Sequence, residues 1–219
     1  MSGSPDTASG RRWFRRLAWL ALALALPASA LLVWREKAAK PPLPTLGRVP
    51  SFSLLERDGS TVRREDLTGR PWVADFIFTR CVLSCPRLTA EMKRLRERLP
   101  DREAVRLVSL SVDPEHDRPE VLAEYAARHG IAPDDRGWLF LTGEHDPVWA
   151  LIREGFRVAV SRPEPGPLAN PLEPIVHSTH FVLVDATGEI RGYYSAFDEE
   201  AVNRLLADLA RLLAAAPSR

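Results

Sequence analysis

Residues 72–86 read WVADFIFTRCVLSCP, and this stretch decides the fold. Its first seven residues are mainly apolar and are bounded by Gly69, Pro71 and Thr79. A short apolar run between turn residues reads as a strand buried on both faces. Pro86 then opens a helix. Leu88, Met92, Leu95 and Leu99 follow at steps of four, three and four, which places them on one helical face. Cys81 and Cys85 stand at the junction. In an open α/β sheet, ligands bind beyond the carboxyl ends of the central strands, where such a junction lies.

Outward from this unit, strands and helices continue to alternate. On the N-terminal side, residues 52–55 and 61–62 flank Asp58-Gly59, a hairpin signal. On the C-terminal side, residues 105–112 read as a second buried strand. Asp117 is placed to cap the next helix, with Glu120 three residues on as in a capping box. Leu122, Tyr125, Ala126 and His129 form that helix's inner stripe, and Gly130 suits its end. Residues 138–141 read as a third core strand, and Asp146-Pro147 begins a short helix. Residues 181–184 and 190–194 form a hairpin around Thr187-Gly188. A last helix follows Asp198, with Val202, Leu205, Leu206, Leu209, Leu212 and Leu213 on one side. The expected fold is α/β, a mixed sheet with helices on both faces, in one domain over residues 47–219. Residues 161–176 hold five prolines and follow neither period. A long loop without periodicity inside a compact domain is often functional. This one leads into His177, which suggests a mobile arm.

The chain has 219 residues and a formal net charge of +1, with opposite charges interspersed after the N-terminus. No basic stripe runs along any predicted element, which argues against nucleic acid as a partner. Residues 17–34 form an apolar run without a charge. As a helix they span ~27 Å, close to the ~30 Å of a bilayer core. Arg11, Arg12, Arg15 and Arg16 precede the run, so residues 1–16 read as a cytoplasmic basic tail and residues 17–34 as a transmembrane anchor. The competing reading is a cleaved signal peptide ending at Ala28-Ser29-Ala30. Leu31 to Trp34 extend the apolar run past that point and favour the anchor. Residues 35–46, with Pro41-Pro42-Leu43-Pro44, read as a stiff linker.

Cys81 and Cys85 are the only cysteines. A disulfide between them would close a tiny loop and remove little entropy from the unfolded chain, so the pair is a poor structural staple. A helix N-terminus favours the thiolate, which is both nucleophile and metal ligand. An incidental disulfide is the plain alternative, and the strand-to-helix position weighs against it. Soft thiolates with an imidazole suit Cu(I) or zinc, and structural zinc takes four protein ligands. Five histidines are available: His116, His129, His145, His177 and His180. His129 falls on an apolar stripe, and His116 and His145 sit near helix starts. His177 and His180 both flank the entry to a strand, and spacing does not choose between them.

The sequence resembles the Sco/SenC family of copper proteins. Residues 76–86, FIFTRCVLSCP, resemble the family's strand followed by Cys-x-x-x-Cys-Pro. Residues 108–122, VSLSVDPEHDRPEVL, resemble its second strand and Asp-Pro segment. Residues 138–143, WLFLTG, resemble its third strand, and residues 177–188, HSTHFVLVDATG, resemble the segment that supplies its histidine ligand. Val82 departs from the proline that many members carry after the first cysteine. The resemblance implies a thioredoxin-like fold and copper, as Cu(I) or Cu(II), bound by Cys81, Cys85 and His177. His177 is selected over His180 because it stands at the family's distance from the glycine at Gly188. His180 is then read as a spare ligand, as a group supporting the ligands or, the favoured reading, as a residue at the edge of the core.

The resemblance further implies a metallochaperone that helps assemble the dinuclear copper site of cytochrome c oxidase. Its partner would be a copper-accepting oxidase subunit or another copper chaperone. The domain would lie in the periplasm, anchored in a bacterial inner membrane. Asp113 is read either as a group that tunes the site or as a turn residue after a strand. The alternative function is a thioredoxin-type thiol-disulfide oxidoreductase using Cys81 and Cys85 as its redox pair. The three residues between the cysteines count against it. So does the lack of a proline before the strand that follows Ser178-Thr179-His180. A peroxidase is a weaker third reading.

Overall fold

The computed structural model describes Trp19 and residues 41–99, 101–164, 170 and 174–215. The predicted transmembrane span lies outside these residues except for Trp19. Among the described residues, no helix is long and apolar enough to cross a membrane. The strands and helices that build the site belong to the unit Leu43–Arg219.

Among the described residues, ten strands and four α-helices follow in chain order. The strands are β1 (Gly47–Arg48), β2 (Ser53–Glu56), β3 (Thr61–Arg63), β4 (Trp72–Ile77), β5 (Arg106–Ser111) and β6 (Trp138–Thr142), then β7 (Val160–Ser161), β8 (Val176–His177), β9 (His180–Val184) and β10 (Glu189–Ser195). The helices are α1 (Ser84–Glu97), α2 (Pro119–Arg128), α3 (His145–Ala150) and α4 (Glu199–Ala215). Eight strands form one mixed sheet in the order β1-β10-β9-β4-β5-β6-β2-β3. The neighbours β4, β5 and β6 are parallel, and β9 runs antiparallel to β4. This is the mixed α/β sheet expected of a thioredoxin-like fold.

The apolar run reading of residues 72–78 holds because β4 is central. All six of its residues are buried, so neither face needs polar side chains. Leu88, Met92 and Leu95 of α1 are fully buried, as their spacing requires. The β2–β3 hairpin turns at Gly59, whose φ of +82° suits glycine. Gly130 ends α2 with φ +73°.

Four local expectations need correction. The helix expected to open at Pro86 opens at Ser84, which takes Cys85 into its first turn. Asp117 does not cap α2. That helix begins at Pro119, whose ring presets the first helical residue, and Asp117 is buried beneath the cysteine loop. The loop of residues 161–176 has paired ends: Ser161 faces Val176, and Val160 faces His177. A two-residue ribbon is too short to leave a period in sequence. His180 is exposed at the start of β9, not at the core edge. Its ring Nδ1 lies 3.2 Å from Ser178 Oγ.

Candidate functional site

The site is built where β4 ends. The chain leaves β4 at Ile77, turns so that the Cys81 N–H donates to the Phe78 carbonyl, and enters α1 at Ser84. The Cys81 sulfur accepts the N–H of Cys85, a first-turn donor that the helix itself cannot satisfy, at 3.4 Å. Ser84 Oγ lies 3.5 Å from the same sulfur. The Cys85 sulfur accepts the Phe78 N–H at 3.4 Å. Neither cysteine is in a disulfide, and both are buried.

His177 reaches this point from β8. Its Nε2 lies 3.4 Å from Cys85 Sγ. Its Nδ1 is 3.1 Å from the Ser178 carbonyl, which only accepts, so Nδ1 carries the proton and Nε2 presents its lone pair to the cysteines. The Phe78 ring meets the imidazole edge-on at 5.5 Å and fixes its plane. His177 is therefore held on a paired strand with its ring oriented. His116, His129, His145 and His180 are not brought to this point. His116 is exposed, His129 packs on Tyr125 at 4.5 Å, and His145 packs on Trp149 at 4.6 Å.

The two thiols are made unequal. The hydrogen bond from Cys85, with a further bond from Ser84, holds the Cys81 thiol far below its ordinary range despite burial. That same bond to Cys81, together with burial, pushes the Cys85 thiol up. The pair is thus unequal: Cys81 is the sulfur that ionises more readily, and Cys85 the one that holds its proton harder. Two sulfurs and one available imidazole nitrogen form a soft donor set of the kind that suits Cu(I). Among the described residues, no group of three or more His, Cys, Asp and Glu side chains is arranged closely enough to hold a metal ion.

The turn between β5 and α2 holds the cysteine loop from outside. Asp117, fully buried, accepts the Thr79 N–H at 3.1 Å, the Thr79 hydroxyl at 2.6 Å and the Ser111 hydroxyl at 2.7 Å. Burial pushes its carboxyl up. Asp113, also buried, accepts two bonds from Arg80, at 2.8 and 2.6 Å. Its other oxygen lies 3.4 Å from Arg162, which follows β7. One carboxylate therefore ties the residue before Cys81 to the ribbon that carries His177. Tyr125 of α2 donates to the Cys85 carbonyl at 3.4 Å and braces the first turn of α1.

Sequence reasoning named Asp113 and missed Asp75, Arg80, Arg162 and the role of Asp117. Asp75 is fully buried in β4, and neither carboxylate oxygen has a hydrogen-bond partner. Burial pushes its carboxyl up to about 7. A lone acid within WVADFIF was the available signal for Asp75. Nothing local marks Arg162, because its partner is 49 residues away.

Residues 44–214 match the family model described as SCO1/SenC. The chain belongs to the SCO1/SenC family. The match takes in every SCO1/SenC-like segment read from the sequence and all the site residues described above. Among SCO1/SenC relatives, the SCO1 protein homolog of Bacillus subtilis (strain 168) is 32% identical over 163 residues, covering 74% of this chain and 80% of that protein. A protein of Stutzerimonas stutzeri named for copper binding is 29% identical over 187 residues, covering 83% of this chain and 87% of its own length. The solved structure of BsSco superposes with a TM-score of 0.66 at 31% identity, over 78% of this chain and 97% of that one. BsSco is described there as a member of the Sco family of cytochrome c oxidase assembly proteins with a disulfide switch.

Proposed function

We propose that this chain is a copper metallochaperone that assists assembly of the dinuclear copper site of cytochrome c oxidase. Cys81, Cys85 and His177 are its copper donors. The reading is carried by one observation: His177 Nε2 lies 3.4 Å from Cys85 Sγ although the two residues are 92 apart in sequence. The protonated Nδ1 leaves that nitrogen free to ligate. Membership of the family and the relatives named for copper binding and oxidase assembly support it.

In this mechanism Cu(I) takes the Cys81 thiolate first. The Cys85 proton is then lost to solvent as its sulfur joins, and His177 completes the set. Delivery reverses the order, as thiolates of the acceptor replace these sulfurs one at a time. Residues 17–34 anchor the protein in the inner membrane, and the domain of residues 47–219 works in the periplasm on a linker.

A second activity is favoured by the unequal thiols. The Cys81 thiolate attacks one sulfur of a target disulfide, and Cys85 resolves the mixed disulfide. The target leaves as a dithiol, and this chain keeps the two-electron oxidised Cys81–Cys85 disulfide. That bond consumes both sulfur donors, so copper load and redox state exclude each other.

Titration of the reduced full chain with Cu(I) tests the reading. One tight equivalent is expected. His177→Ala should weaken binding by on the order of 100-fold, as removal of a ligand does at least as much as removal of its supporting groups. His180→Ala should bind as wild type. Normal binding by His177→Ala with intact disulfide chemistry would leave the oxidoreductase function alone standing.

A further inference from the structure

At the end of the sheet opposite the cysteines, the loops that feed the three parallel strands all carry arginine. Arg70 lies two residues before β4. Arg106 opens β5 beside Trp72, with Arg102 in the loop before it, and Arg136 lies two residues before β6. All four line one cleft of about 520 Å³. Arg136 is already neutralised, since it pairs with Asp58 at 2.5 Å.

The other three arginines have no carboxylate partner among the described residues. Arg70 donates to the Glu103 carbonyl at 2.6 Å. Arg106 donates to the Asp66 carbonyl, while the Asp66 carboxylate accepts the Arg63 N–H. One nitrogen of each guanidinium is engaged in this way, out of the five N–H donors that an arginine carries. Arg102 is exposed and makes neither a hydrogen bond nor an ion pair among the described residues. The acids of the cleft leave these charges standing. Asp135 is held by two nitrogens of Arg96, and Glu103 and Asp134 form no ion pair. Arg70 and Arg106 are both half-buried. Burial and the charge of Arg70 push the Arg106 guanidinium below its ordinary value, and the charge of Asp66 works the other way. Two like charges in a partly desolvated cleft repel, and an anion between them would turn that repulsion into attraction.

We propose that Arg70, Arg102 and Arg106 form a binding site for a phosphate group, carried by a phospholipid headgroup or by a soluble phosphate ester. A phosphate presents several oxygens to the planar forks of arginine, and such charge-assisted bonds are strong ones. The cleft has the size of a small-molecule site and leaves room for the ester beyond the phosphate. This site is distinct from the copper donors and does not depend on them. It lies at the amino ends of β4 and β5, whereas the cysteines follow the carboxyl end of β4. The six residues of β4 separate the two ends by about 20 Å. A headgroup bound here turns the cysteine loop away from the bilayer.

The test uses the full reduced chain in uncharged detergent at constant ionic strength. It is titrated with inorganic phosphate, glycerol 3-phosphate and dihexanoylphosphatidylglycerol, and arginine side-chain N–H signals are followed by NMR. Saturable binding is expected, at least tenfold tighter than that of acetate. Arg70→Gln/Arg106→Gln should weaken it at least tenfold. Arg102→Gln changes an exposed side chain without bonds, so it should weaken binding at least threefold and leave the thermal midpoint unchanged. That variant decides the matter if the double variant does not fold. Arg48→Gln removes an exposed arginine beside the β9–β10 turn, at the same end of the sheet but outside the cleft, and should bind as wild type. Tightest binding of the lipid assigns a headgroup as the source, and tightest binding of either soluble probe assigns a soluble phosphate. No saturable binding of any phosphate probe, a preference for acetate, or undiminished binding by Arg102→Gln would overturn the proposal. So would an equal loss in Arg48→Gln, since overall charge would then account for the binding.

Discussion

At the scale of single residues, the least expected group is Asp75, a carboxyl without a hydrogen-bond partner in the central strand. Its folded-state value near 7 lies above the ordinary aspartate value of 3.8. The folded chain therefore holds a proton that the unfolded chain has lost over that interval. Stability should fall as pH rises from about 4 to about 7, by about 1.4 kcal/mol per unit within the interval, and level off above it. Denaturant unfolding of reduced protein across this range measures the slope, and Asp75→Asn should flatten it. Asp113 is the second residue with a specific consequence. Asp113→Asn keeps the shape but weakens the hold on Arg80 and Arg162. Cu(I) affinity measured by competition with a chelator should drop about tenfold, the usual scale for groups that orient ligands. An unchanged affinity would make Asp113 a turn residue only.

At the scale of elements, the strand-to-helix junction was legible because its signals are local. The buried run of β4 and the four-three-four spacing of α1 are written in consecutive residues. The paired ends of the proline-rich loop were not, because Val160 and His177 are joined only through the folded chain. Asp117 was misassigned for a related reason. Its spacing to Glu120 satisfies the capping-box rule, but the groups that claim the carboxylate, on Thr79 and Ser111, come from other segments. β10 offers a check on an element away from the site. The strand shifts register between Ile190 and Gly192, and the Tyr194 ring lies where a Cβ at residue 192 would be. Gly192→Ala should push that ring aside and break its 2.8 Å bond to Asp208. We expect a loss of about 2 kcal/mol from the denaturant midpoint, with Cu(I) affinity unchanged.

At the scale of the whole molecule, the mixed sheet followed from the alternation of strand and helix signals. The antiparallel β9–β10 pair followed from the turn at Gly188. The placement of His177 needed the resemblance, because two histidines satisfy the same spacing and only the fold separates them. Copper binding should feed back on global stability, since the donors come from both halves of the domain. Free Cu(I) at about 1,000 times its dissociation constant should add about 4 kcal/mol to unfolding. A thermal scan of the reduced chain should show this as a raised midpoint, and His177→Ala should lose most of the rise.

The separation of 92 residues between Cys85 and His177 has a consequence during biosynthesis. A nascent chain emerges N-terminus first. Both thiols are made well before the imidazole that completes their site, and before β8 and β9 exist to cover β4. For that interval the sulfurs are open to oxidants and stray metal without the geometry that later controls them. The newly made protein is most vulnerable before its last third is synthesised, and guarding its two thiols then falls to the cell.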